Sequence, residues 1–144
     1  MLRVASTILI VVALSSLVIG VVYVARGTLM GYHEEFIGMT IDDIASISPE
    51  LANLAKVFIR LAGTLFIGVG VSLIAIIHYG IRQARRWAWW TALIAMGVVN
   101  VPLVAITQPV GGFPWMLAIA MLTLFVAGIA LAARDVFAKP HRAA

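Results

Sequence analysis

The chain has 144 residues, 63% hydrophobic and 11% charged, with mean hydropathy +1.10, net charge +4 and no Cys. Soluble domains carry about 25% charged residues, so this composition is that of a membrane protein, with no length left over for a second domain. Without Cys there is no thiol–disulfide exchange, palmitoylation or iron–sulfur ligation. The basic residues flank apolar runs instead of forming a stripe, which argues against nucleic acid as a partner.

Four apolar runs cover residues 4–25, 57–79, 88–107 and 114–133. Each is long enough for the ~30 Å hydrocarbon layer, which needs about 20 residues of helix. Within that layer every backbone N–H and C=O must be satisfied inside the segment, so the runs are read as helices. The expected fold is all-α: an antiparallel bundle of four transmembrane helices at about 4–25, 54–79, 88–107 and 114–133, forming one domain over 1–144. The first run follows Arg3, exceeds the 7–15 residues of a signal-peptide core, and ends in a poor cleavage site, Tyr23-Val24-Ala25. It is read as a retained helix.

The connection 26–53 is long for two adjacent spans and is expected to hold structure of its own. Thr40-Ile41-Asp42-Asp43 has an N-cap residue followed by acids in the first turn, while Ile37, Ile41, Ile44 and Ile47 recur at helical spacing. This predicts a short amphipathic helix on the outer surface. Ser48-Pro49-Glu50 is a second start signal, from which a helical pattern runs unbroken to Gly80. His33-Glu34-Glu35 with Asp42-Asp43 supplies cation-ligating groups, yet the spacing matches no metal motif, and a solvated acidic loop is the plainer reading.

The second membrane helix is the richest in polar groups. Lys56, Arg60, Gly63, Thr64, Ile67, Val71, Ile74, Ala75 and His78 fall on one face at 100° per residue. Thr64, Gly68 and Ser72 form a small-xxx-small series that suits close helix packing. Arg60 reads either as an anion contact at an outer cavity or as a snorkelling side chain paired with Glu34, Glu35, Asp42 or Asp43. His78 reads as an interfacial hydrogen-bonding residue. A bis-histidine haem would need a second axial His at a suitable depth, and His33 and His141 stand in loop and tail. No metal or cofactor is expected.

A short basic turn, Gly80 to Arg86, leads into the third helix. Arg82, Arg85 and Arg86 with Trp87, Trp89 and Trp90 read as an anchor among lipid headgroups. Asn100 is the strongly polar side chain near the middle of a span; it either bridges helices or lines a pocket together with Arg60, His78 and Trp115. Pro102 removes a backbone donor and predicts a kink. The tight uncharged turn from Gln108 to Pro114 forces the last two helices antiparallel.

With the N-terminus inside, the cytoplasmic side holds Arg3, Arg82, Arg85, Arg86, Arg134, Lys139 and Arg142, against Arg26, Lys56 and Arg60 outside. The positive-inside rule then puts both termini in the cytoplasm of a cell-membrane protein. Tyr79 and the Trp87–Trp90 group fit the inner interface, and Tyr23, Tyr32, Phe113 and Trp115 the outer one. No Asp, Glu, Lys or Arg occupies the centre of a span, and no Ser-His-Asp, paired-acid or phosphate-cradling set shares one plane.

The layout, with Arg60-Leu61-Ala62-Gly63 and Arg85-Arg86-Trp87-Ala88-Trp89-Trp90, resembles small prokaryotic four-helix membrane proteins of the DoxX-like type. The resemblance implies a glycine-containing second helix, a basic turn and a Trp-rich third helix, and it assigns no catalytic residue. The expected role is non-enzymatic, through association with the lipid bilayer and with another membrane protein or a second copy of the chain. The alternative is a small-molecule or lipid carrier with an outward-facing cavity.

Overall fold

The computed structural model describes residues 1–138. Lys139, His141 and Arg142 lie outside the described residues. All elements among the described residues are helical: α1 (Leu2–Arg26), α2 (Gly31–Ile37), α3 (Ile41–Ile47), α4 (Pro49–Tyr79), a 3-10 turn (Ile81–Gln83), α5 (Arg86–Thr107) and α6 (Gly112–Ala138). Among them α1, α4, α5 and α6 are long and apolar enough to cross a membrane. At 1.5 Å per residue even the 22-residue α5 measures about 33 Å, a full hydrocarbon thickness.

The boundaries follow local chemistry. Helix α3 starts where Thr40 Oγ1 accepts the Asp43 N–H and the Asp43 carboxylate accepts the Thr40 N–H, a reciprocal capping box. Helix α4 starts at Pro49, with Ser48 Oγ accepting the Leu51 N–H at 3.2 Å. Helix α2 is not foreseen by the isoleucine pattern. It stops at Gly38, whose φ of 74° is left-handed and whose N–H returns to the Glu34 carbonyl. Helix α6 begins at Gly112, so Pro114 falls inside its first turn instead of at its first position. Helix α5 continues through Pro102.

The chain divides into two compact units, Met1–Ser15 with Gly70–Ala144, and Ser16–Val69. The first is built around the antiparallel pair α5 and α6. Ala88, Ala92, Met96 and Asn100 recur every fourth residue on the buried face of α5. Helix α6 turns Ala118, Met121, Phe125, Ile129, Ala132 and Val136 inward at helical spacing. The Trp89 indole N–H donates to the Ile129 carbonyl at 2.9 Å and fixes the register. The start of α1 joins the pair with Leu9, whose side chain lies against Gly128. A Cβ on Gly80 would stand 2.1 Å from that of Ala88, so only glycine permits the turn from α4 into α5.

In the second unit, the later part of α1 meets α4 backbone to backbone. A Cβ on Gly20 would lie 2.6 Å from the Gly63 carbonyl oxygen, and one on Gly63 would lie 2.8 Å from that of Gly20. Lipid tails are as apolar as Leu, so helices in a membrane gain by dispersion at such close crossings more than by burying large side chains. Tyr23, on α1, packs edge-to-face on Phe66 of α4 with centroids 6.2 Å apart.

Candidate functional site

In the second unit, polar chemistry gathers where α1 ends. Tyr23 and Tyr32 share a hydroxyl–hydroxyl hydrogen bond, and the His33 ring lies 4.2 Å from Tyr32 and 6.1 Å from Tyr23, centroid to centroid. His33 Nδ1 accepts the Met30 N–H at 3.1 Å and so caps α2. Burial favours the neutral ring and lowers its pKa. Burial, with the Tyr23 hydroxyl second, raises the Tyr32 pKa and keeps that phenol protonated.

Arg60 is exposed, and its guanidinium rests on Gly27: a Cβ there would stand 2.5 Å from Arg60 Nε. A cation at this point faces the negative end of the α1 dipole. Among the described residues, no carboxylate of the connection pairs with it. Three of those acids, Asp43, Glu34 and Glu50, bond to nearby backbone or hydroxyl groups of the connection. Asp43 accepts from the Thr40 hydroxyl (2.7 Å) and N–H (2.9 Å), which holds its carboxyl below the usual range. Glu34 accepts the Ile41 N–H at 3.3 Å, and Glu50 accepts the Ser48 hydroxyl at 3.0 Å. Among the described residues no three His or acidic side chains converge as a metal ion would require.

The small-residue row of α4 is open within the chain. Thr64, Gly68 and Ser72 are all exposed, and a Cβ on Gly68 would meet nothing within 4 Å. The close crossing belongs to Gly63, one position earlier, because a single residue turns the helix by 100°. His78 is likewise exposed, with its ring edge-to-face on Tyr79 at 4.8 Å.

In the first unit Asn100 is 1% exposed, and its Nδ2 has no hydrogen-bond partner. The helix bridge expected of that amide is not formed by its nitrogen. Counting back from Ile129 as far as Asn100 lies beyond Trp89 puts Ala118 level with it, a residue with no side-chain acceptor. Trp115, one turn before Ala118 on α6, is 37% exposed.

At the other end of the α5–α6 pair the arginines collect. The Met1 ammonium lies 3.5 Å from Asp135, Arg134 reaches Met1 Sδ at 3.8 Å, and the Arg86 guanidinium sits 5.6 Å from the Phe137 ring centroid. These contacts bring the first turn of α1, the first turn of α5 and the last turns of α6 together. Arg82, Arg85, Trp87 and Trp90 are exposed there. The Trp89 N–H is held by the Ile129 carbonyl. A cleft of about 430 Å³ opens at this end, lined by Leu2, Arg3, Thr7 and Arg82. The positive-inside reading groups Arg3 with Arg82 on one side, and packing brings them to one cleft.

Four helices capable of crossing a bilayer define the class, a multi-pass membrane protein. No protein-family model matches the chain, and no curated protein or solved structure is significantly similar to it.

Proposed function

We propose that this is a non-enzymatic cell-membrane protein, with both termini cytoplasmic, that acts through helix–helix association with a second copy or as an accessory subunit. The observation that carries this reading is the open row Thr64, Gly68 and Ser72 on α4, left uncovered while Gly63 on the same helix is consumed inside the chain. A row of small residues lets a second backbone approach closely in lipid, where shape and dispersion drive association. The DoxX-like layout belongs to the same reading and brings no activity with it. In this arrangement the connection 26–53 faces outward, with α3 lying amphipathically on the surface.

Energy transfer between labelled full-length chains in liposomes, followed as lipid is added, tests it. Gly68→Ile is expected to weaken association at least about tenfold, roughly 1.4 kcal/mol. Ala at the same position should have little effect. Transfer that matches random encounter at every dilution, with no foreign subunit co-purifying, overturns the proposal.

The unpartnered Asn100 amide favours a second reading, in which the first unit takes up a small polar ligand as a carrier would. Native mass spectrometry should then find a bound molecule on the wild type that Asn100→Leu lacks.

A further inference from the structure

The first unit carries an unbalanced charge at its arginine end. Arg3, Arg82, Arg85, Arg86, Arg134 and the N-terminal ammonium face one carboxylate among the described residues, that of Asp135, which the ammonium already engages. Two of these arginines, Arg3 and Arg82, wall the same cleft of about 430 Å³. Among the described residues neither has an ion-pair, hydrogen-bond or aromatic partner for its guanidinium. Two like charges at one cleft repel, and an anion bound between them relieves that repulsion.

The remaining walls narrow the choice of anion. Thr7 donates its hydroxyl proton to the Arg3 carbonyl at 3.0 Å, so the free donors of the cleft are the two guanidinium groups. Planar guanidinium forks match phosphoryl oxygens in bidentate fashion. Leu2 adds an apolar surface to the lining. Trp87 and Trp90, 54% and 51% exposed, stand at this end where the apolar run of α5 begins, the depth at which indoles and lipid phosphates meet. The volume lies within the range of about 300–1,000 Å³ typical of small-molecule sites.

We propose that the Arg3–Arg82 cleft binds a phosphoryl group, supplied by the headgroup of an anionic phospholipid whose glycerol and first methylenes lie along Leu2. The site is independent of helix association on α4.

Native mass spectrometry of the full chain, released from detergent containing phosphatidylglycerol or phosphatidylcholine, reads the result directly. The wild type should retain one phosphatidylglycerol in preference to phosphatidylcholine. Arg3→Gln and Arg82→Gln should each reduce that retention about tenfold, as expected for loss of one charge-assisted pair. Arg134→Gln, outside the cleft, should leave it within about twofold. Circular dichroism on each variant secures the helical content, and Arg82→Lys should recover part of the binding. A parallel arm offers inorganic phosphate without added lipid. Retention of phosphate but not phosphatidylglycerol keeps the phosphoryl site and assigns its source to solution. The proposal falls if both lipids are held equally, or if Arg134→Gln loses as much as Arg82→Gln.

Discussion

The two units hold their helices together by opposite means. In Ser16–Val69, α1 and α4 touch through backbone at Gly20 and Gly63, with Ile67, Tyr23 and Val24 close against the two glycines. In the other unit, α5 and α6 interdigitate Met96, Met121, Phe125 and Ile129 and add one directed bond from Trp89. A glycine crossing has little slack, because backbone atoms stand among the nearest obstructions on both sides. A side-chain interface can redistribute a changed volume among several rotamers. The first kind of contact should therefore be brittle and the second forgiving.

The largest expected effect breaks the crossing. Gly63→Leu puts side-chain atoms where the Gly20 carbonyl stands and should cost about 3 kcal/mol or more, measured by unfolding of the full chain in mixed micelles. Gly68→Leu, five residues along the same helix, should change stability by less than about 0.5 kcal/mol. Equal losses at both positions would end the contrast between them. Next comes Asn100→Leu, which removes a buried amide whose nitrogen lacks a partner and should stabilise the α5–α6 unit by about 1 kcal/mol. A marked loss instead would reveal a partner for that amide.

Trp89→Phe keeps the ring and deletes the N–H bonded to Ile129. Membrane double-mutant cycles average about 0.6 kcal/mol per side-chain hydrogen bond, and a loss of that order should appear in the same unfolding measurement. The smallest effect concerns pH and the second unit alone. The folded-state pKa of His33 is lowered by burial, so above the ordinary His value near 6.5 both folded and unfolded chains hold the ring neutral. Below it the unfolded chain takes up a proton that the folded one resists, and stability falls with pH. Protonation at Nδ1 also abolishes the bond accepted from Met30. Amide exchange across residues 30–37 should quicken as pH drops from 7 towards 5, and His33→Gln should flatten that response.

Helix identity was legible because hydropathy over twenty residues outweighs everything local. The capping chemistry of Thr40 and Ser48 was equally plain, since an N-cap needs only its next three residues. Helix α2 escaped because its signal, Gly38 after a seven-residue helix with no Ser, Thr, Asp or Asn before it, is a stop without a start. A small-residue series states that close approach is possible, while one residue of rotation decides whether Gly63 or Gly68 receives it. The Arg3–Arg82 cleft was invisible, as its walls lie far apart along the chain. Likewise Asp43 and Glu34 were available to Arg60 on paper, yet nearby backbone N–H groups captured them first.

The two turns beside α5 differ in a way that bears on biogenesis. Residues 108–111 carry no charge, whereas the turn between α4 and α5 carries Arg82 and Arg85, with Arg86 beginning the next helix. Dragging one Arg through the bilayer centre costs about 2.5–3.5 kcal/mol on the translocon scale. On the proposed topology, a hairpin of α5 and α6 threads its neutral tip across while the cationic turn stays on the cytoplasmic side. On that reading the charge difference between the two turns gives insertion its direction.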